Sequence, residues 1–228
     1  MVICMDELKM KVAKKALEFL ESNIILGIGS GSTVRYFIKF LGEAIRKGEL
    51  SNIIAIPTGI DTELLLIEEG IPISTLNQYP ELDLAVDGAD SVLLENKVLI
   101  KGGGGAFFRE KIVDYRAKKL VIIVDESKIN REFPVPVEVI PISLRASILD
   151  LERLGGLPQI RFSKTKLGPT ISDDGNIILD VKFPMKRITA DLEVKINSIP
   201  GVLENGIFSR NAKILIGMRD ETKEIDFL

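Results

Sequence analysis

Residues 24–33 read Ile24-Ile25-Leu26-Gly27-Ile28-Gly29-Ser30-Gly31-Ser32-Thr33, and the rest of the chain can be ordered around them. Ile24–Ile28 is an apolar run of strand length. A turn follows with glycine at alternate positions, and then Thr33–Lys47 sets Phe37, Phe40, Leu41 and Ile45 at helical spacing before Gly48. Strand, glycine turn and helix make the first half of a βαβ unit. Upstream, Asp6 can cap a helix on which Leu8, Val12, Ala16 and Leu20 share a face. Downstream, Ile53–Ile56 reads as a strand, Asp61–Glu69 as a helix ended by Gly70, and Leu82–Val86 as a strand running into Asp87-Gly88-Ala89-Asp90. Val98–Ile100 precedes a glycine run, Phe107–Ala117 reads as a helix and Leu120–Val124 as a buried strand. This alternation predicts an α/β fold with an open, largely parallel sheet covered on both faces.

The pattern changes after Lys128. Phe133-Pro134-Val135-Pro136 reads as a linker into a strand at Val137–Ile140, followed by a helix at Ser143–Leu154, a strand near Ile160 and a turn at Asp173–Asn176. A strand at Ile177–Val181, a helix at Asp191–Ser198 and a strand around Val202 complete the order β-α-β-β-α-β, which suits a ferredoxin-like α+β domain. Ala212–Ile216 is apolar and strand-like, and its expected place is back in the first sheet. The predicted division is therefore a first domain over 1–130 and 207–228, with a small domain inserted at 131–206.

Composition narrows the function. With 46% hydrophobic and 28% charged residues the chain is of ordinary globular class, and folding at this length should bury roughly 70–75% of the unfolded surface. A formal charge of −3 with no basic block argues against a nucleic-acid partner. No apolar run approaches the ~18 residues of a membrane span. The lone Cys4 cannot form an internal disulfide, and lysines interrupt the first twenty residues where a signal peptide needs an apolar core, so a cytoplasmic location is expected. There is no histidine, which removes Ser-His-Asp and Cys-His catalysis and every histidine-containing zinc site. Catalysis, if present, rests on carboxylates, lysines, hydroxyls and backbone amides.

Three motifs can carry such chemistry. The glycine turn at a helix start offers amides to an anion, of which phosphate is the natural one, although a plain tight turn accounts for it equally well. It is not a P-loop, since no lysine precedes its hydroxyls, and Ser32 and Pro57-Thr58 spoil a dinucleotide fingerprint. Asp87 and Asp90 put two carboxylates at the carboxyl end of a strand, where open α/β sheets bind ligands, but an ordinary Asp-Gly turn would look the same. Lys101 followed by Gly102-Gly103-Gly104-Gly105, with Arg109-Glu110-Lys111 beyond, is harder to read as a floppy loop, because ordering four glycines is costly in backbone entropy. Lys128, in Asp125-Glu126-Ser127-Lys128, ends the next strand at the same edge and taken alone would be a solvated charge.

Taken in order, these segments resemble ribose-5-phosphate isomerase of type A. The resemblance runs over nearly the whole chain: Asp6–Lys9, the turn from Gly27 to Thr33, Asp87–Asp90, Lys101–Gly105, Arg109–Lys111, Asp125–Lys128, Phe133–Pro141, Leu154–Gly156, Asp174–Asp180 and Ile199–Val202. It implies a Rossmann-like domain with the α+β domain inserted, in a homodimer or homotetramer. It further implies interconversion of ribose 5-phosphate and ribulose 5-phosphate through an enediolate, with no metal and no cofactor. Substrate contacts would fall on Ser30, Gly31, Ser32, Thr33 and Lys128, with Lys9 as an addition, and on the backbone and side chains of Asp87, Gly88, Ala89, Asp90, Lys101, Gly102, Gly103 and Gly104. Glu110 corresponds to the acid–base glutamate, Lys101 would stabilise the oxyanion, and Asp87 and Asp90 would bind hydroxyls and assist ring opening. Two positions depart from the family pattern: Ser30 stands where many relatives carry threonine, and Ser91 where they often carry an acidic residue. An amino-sugar-phosphate deaminase or coenzyme A transferase would share the glycine turn but not the Asp87 and Lys101 motifs together. A non-catalytic sugar-phosphate sensor would need a DNA-binding module, for which no segment is expected.

Overall fold

A computed structural model describes residues 5–163 and 167–227; Cys4 lies outside the described residues. The chain forms two compact units, one built from the residues up to Ala89, Arg109–Lys128 and Arg210 onward, the other from Asp90–Phe108 and Ile129–Ser209. Among the described residues no helix is long and apolar enough to cross a membrane.

The first unit opens with α1 (Met5–Ala16) and continues through β1 (Ile24–Ile28), α2 (Ser32–Arg46), β2 (Ile53–Pro57), α3 (Ile60–Glu68) and β3 (Leu82–Asp87). After the second unit's first segment it resumes within α4 (Phe107–Arg116) and β6 (Ala117–Asp125), the intervening strands β4 (Ser91–Leu93) and β5 (Val98–Ile100) belonging to the other unit. It closes with β12 (Ala212–Gly217) and β13 (Thr222–Phe227). The six-stranded sheet has the order β13-β12-β6-β3-β1-β2, parallel except for β13. As expected, Ala212–Ile216 returns to this sheet, pairing in parallel with β6. Because β1 leads to β2 on one side and the chain then crosses to β3 on the other, the strand order reverses between β1 and β3. Doubly wound sheets open a crevice at the carboxyl ends of such strands. Leu26, Ile28, Val86 and Ile123 from the strands meet Val12, Phe37 and Leu41 from α1 and α2 in a core of fully buried side chains.

The second unit contains the expected α+β arrangement: β7 (Val135–Val139), α5 (Leu144–Arg153), β8 (Leu157–Ile160), β9 (Ile177–Lys182), α6 (Ala190–Asn197) and β10 (Val202–Asn205). Its antiparallel sheet runs β10-β7-β9-β8, so the four strands lie in the order fourth, first, third, second, as a ferredoxin-like βαββαβ requires. Alternation along β7 and β9 sends Val135, Val137, Val139, Leu179 and Val181 into a core with Leu151 and Ile196. Pro136 sits inside this central strand without breaking the ladder. Its carbonyl faces Gly206 and accepts that amide at 2.8 Å, so the missing N–H points to where β10 has already ended.

The two compact units are bounded differently from the predicted domains. Besides beginning at Ile129 and ending at Ser209, the second unit takes in Asp90–Phe108, which the sequence placed in the first domain. The reason is strand pairing: β4 and β5 form a three-stranded antiparallel sheet with β11 (Ile207–Phe208), and none of them joins the six-stranded sheet. Val98 and Ile100 are buried in the same core as Val135 and Leu179. The chain therefore passes from one unit to the other inside the Asp87–Asp90 tetrad and again inside α4.

Candidate functional site

In the first unit the site is built on the β1/β3 switch. The glycine turn continues the sheet briefly, with the Gly29 amide donating to Val86 O at 3.0 Å, and Thr62 of α3 donates its buried hydroxyl to Gly29 O at 2.6 Å. Asp87 is fully buried at the end of β3, and its Oδ1 accepts the amides of Gly88 (2.6 Å) and Ser30 (3.2 Å). The carboxylate thereby ties the ends of β1 and β3 together. It also dictates the residue at 29: a Cβ there would lie 1.8 Å from Asp87 Cγ. Gly31 has φ +99°, a backbone suited to glycine, and it starts α2 with Ser32 exposed and Thr33 buried. The first amides of α2 have no partners within the helix, which leaves them able to take an anion.

Glu110 reaches this turn because of Gly27. A Cβ on Gly27 would meet Val113 Cγ1 at 2.7 Å, so its absence lets α4 settle onto β1. Glu110 is one turn before Val113 and shares its face, and it arrives at the end of the same strand. There Ser30 Oγ donates to Glu110 Oε1 at 2.6 Å, and the glutamate is only 4% exposed. The other end of α4 is held by Arg210, whose Nη1 donates to Asp114 O at 2.7 Å and whose Nη2 donates to Ala117 O. An arginine on the terminal carbonyls of a helix satisfies acceptors that the helix leaves open.

Lys128 closes a 3-10 turn, Glu126–Lys128, after β6, and is half-buried. The turn is shaped by Asp125, fully buried, whose Oδ1 accepts the amide of Ser127 at 3.0 Å and its hydroxyl. Asp125 Oδ2 and Thr58 Oγ1, at the ends of β6 and β2, are buried polar atoms with no hydrogen-bond partner among the described residues. Lys9 is on α1, paired with Asp6 at 3.4 Å.

In the second unit Asp90 and Lys101 flank the glycine run. The Asp90 amide donates to Ile100 O (2.8 Å) and its Oδ2 accepts the Gly103 amide (2.7 Å), while the Lys101 amide donates to Gly206 O (2.9 Å). Lys101 is 2% exposed and its ammonium lies 5.4 Å from the centre of the Phe208 ring, a cation–π distance. Gly102 and Gly105 have φ of +100° and +91°, and the Gly105 amide closes onto Gly102 O at 3.0 Å. Cβ atoms at 102 and 103 would strike Phe107 and the Asp90 carboxylate. The four glycines thus form an ordered turn rather than a floppy loop.

The structure gathers Ser30, Asp87, Gly88 and Glu110 into one hydrogen-bonded network in the first unit; in the second it bonds Asp90 to Gly103, with Lys101 and Gly102 next to them along the chain. Gly31, Ser32 and Thr33 continue from the first, Gly104 from the second, and Ala89 lies where the chain leaves the first unit. Thr62 and Arg210 support the first network without having been singled out, since each acts through a contact distant in sequence. Among the described residues no group of three or more Asp, Glu, Cys or His is placed to hold a metal ion.

A doubly wound α/β sheet with a buried carboxylate network and a hydroxyl-rich helix start at its switch point belongs to the class that binds anionic small molecules. Comparison with known proteins specifies it. The family described as ribose 5-phosphate isomerase A (phosphoriboisomerase A) matches residues 54–221, and the chain belongs to that family. It is 45% identical to ribose-5-phosphate isomerase A of Pyrococcus horikoshii over 226 residues, covering 97% of this chain and 98% of that protein. The solved ribose 5-phosphate isomerase A of Methanocaldococcus jannaschii superposes with a TM-score of 0.93 at 43% identity, covering 98% of this chain and all of the other. A D-ribose-5-phosphate isomerase solved in complex with phospho-erythronic acid gives 0.94 at 43% identity, with the same coverage.

Proposed function

We propose that this protein interconverts ribose 5-phosphate and ribulose 5-phosphate, with Glu110 as the proton-transferring base. The observation that carries the assignment is the buried Glu110 carboxylate, held by the Ser30 hydroxyl at 2.6 Å beside a glycine turn that opens a helix. Family membership supports it, as does the relative whose bound ligand, phospho-erythronic acid, is a phosphorylated sugar acid.

Glu110 takes the C2 proton of the open-chain aldose while the C1 carbonyl oxygen gains the electron pair, giving an enediolate. The proton then returns to C1 while the O2 hydroxyl proton passes to O1 as the C2 carbonyl forms, so one C–H bond breaks and one forms, one O–H bond breaks and one forms, and there is no net redox change. The Lys101 ammonium stabilises the oxyanion, Asp87 and Asp90 engage hydroxyls and assist ring opening, and the start of α2 with Lys128 takes the phosphate. A general base contributes about 10²–10⁴-fold, so positioning through the phosphate has to supply much of the rest. No step calls for a metal or a cofactor. Action as a homodimer or homotetramer in the cytoplasm belongs to the same reading.

The test is ribulose 5-phosphate formation by the purified protein in excess chelator. Conversion at an undiminished rate is the expected result. No conversion with or without added metal would overturn the assignment, and activity restored by one divalent ion would replace proton transfer with a metal-bridged hydride shift.

A further inference from the structure

Within the second unit, the ordered glycine turn needs a clamp. Ordering glycine costs more backbone entropy than ordering any other residue, and Gly102–Gly105 close only one hydrogen bond among themselves. Their carbonyls are held by a side chain distant in sequence. Arg161, directly after β8, donates from Nη1 to Gly102 O at 2.9 Å and to Gly103 O at 3.4 Å. The remaining edge of its guanidinium is a two-pronged fork onto Asp180 of β9, Nε to Oδ2 at 2.9 Å and Nη2 to Oδ1. Neither side chain is a loose surface group: they are 15% and 26% exposed. The arginine backbone is fixed as well, its amide donating to Ile178 O (2.9 Å) and its carbonyl accepting from Thr170 (2.7 Å).

We infer that the Arg161–Asp180 pair is a positioning device for the isomerisation, stapling the glycine turn so that Lys101 and the Asp90–Gly103 contact are held in their working geometry. The planar fork suits this task where lysine would not, because Asp180 orients the guanidinium and leaves Nη1 aimed at the two carbonyls. Arg161 acts through the backbone of the turn and does not serve as a substrate ligand. The inference rests on the proposed isomerase reading for its consequence, but the stapling itself is a property of the free protein.

Hydrogen exchange of the 102–105 amides and steady-state kinetics, measured on Arg161→Ala, Arg161→Lys and Asp180→Asn, test it. Arg161→Ala should speed exchange in the glycine turn by about tenfold or more. It should lower kcat on the order of 10²-fold, the usual effect of a displacement near 1 Å, with KM for ribose 5-phosphate changed less than about threefold. Arg161→Lys should recover little, and millimolar guanidinium should partly restore kcat of the alanine variant. If Arg161→Ala does not fold, Asp180→Asn carries the test and should show the same pattern in milder form. Wild-type exchange and kcat in the variants would overturn the inference, as would a rise in KM with kcat intact, which would make Arg161 a binding residue. Faster exchange in a protein whose wild type does not isomerise ribose 5-phosphate would retain the staple and sink the functional reading.

Discussion

Gly29→Ala is the smallest change that should disable the site, and its cost can be worked from the geometry. The added Cβ would stand 1.8 Å from both Cγ and Oδ1 of Asp87, where ordinary contact needs 3.4–4 Å, so one group must move by roughly 1.5–2 Å. The Gly29 backbone is tied to Val86 O and to the Thr62 hydroxyl, leaving the carboxylate as the group that yields. Asp87 would then give up the amides of Ser30 and Gly88 in a fully buried position. Hydrogen bonds to a charged group are worth about 1.5–3 kcal/mol each, so a loss of about 3 kcal/mol or more is expected. For a chain of this size that lowers Tm by roughly 6–12 °C. The misplaced turn should reduce kcat/KM by about 10²-fold or more. Gly104→Ala is the thermal control: nothing lies within 4 Å of its Cβ position, and Tm should stay within about 1–2 °C. Differential scanning calorimetry of the two variants decides. A Gly29→Ala protein melting with the wild type would show that the Asp87 carboxylate does not sit against the turn.

Lys128→Ala should mainly raise KM for ribose 5-phosphate, since a charged contact to a phosphate is lost while the proton-transfer groups remain; comparable reaction of unphosphorylated ribose would refute the phosphate assignment. Asp83 supplies a pH test. The Lys118 ammonium at 2.8 Å, with help from the Ile25 amide at 3.0 Å, holds its carboxyl below the ordinary value of 3.8. A depressed carboxyl gives stability that is fully present above 3.8 and lost as the pH falls through the lower folded value. Asp83→Asn should therefore cost at most about 1 kcal/mol near neutrality, the contact being partly solvent-screened, and the deficit should vanish in strong acid. Denaturant melts across pH 2–7 read it, and a deficit independent of pH would refute the pairing.

The parts of the fold that were legible in the sequence are those set by local pattern. Ile24–Ile28 is a strand with the predicted bounds, and the helix over Thr33–Lys47 is displaced by one residue, to Ser32–Arg46, because Gly31 at φ +99° opens it. The α+β order was readable because its strands and helices alternate at ordinary lengths. Strands β4 and β11 were not, because three and two residues show no periodicity, and their pairing is what carries Asp90–Phe108 into the second unit. Thr222–Phe227 was also missed: it is an edge strand whose Lys223, Glu224 and Asp226 face solvent or ion pairs, a polarity that protects an edge and hides it from a hydrophobicity scan. The site shows the same split. Ser30, Asp87 and Glu110 lie in short motifs that a local window contains, and the family resemblance implied their roles, whereas Thr62, Arg161, Asp180 and Arg210 act on backbone carbonyls or partner charges far along the chain, which no local window contains.

Solvent-deuterium incorporation at C2 of ribose 5-phosphate, compared between wild type and Glu110→Gln, shows whether Glu110 is the base that moves the proton. Glutamine can still accept the Ser30 hydroxyl at its amide oxygen, so folding and sugar-phosphate affinity should be kept, but it cannot take a proton from carbon. Exchange and kcat should fall by about 10²–10⁴-fold, with KM and Tm near those of the wild type. Exchange at the wild-type rate in the variant would contradict this and remove Glu110 as the base.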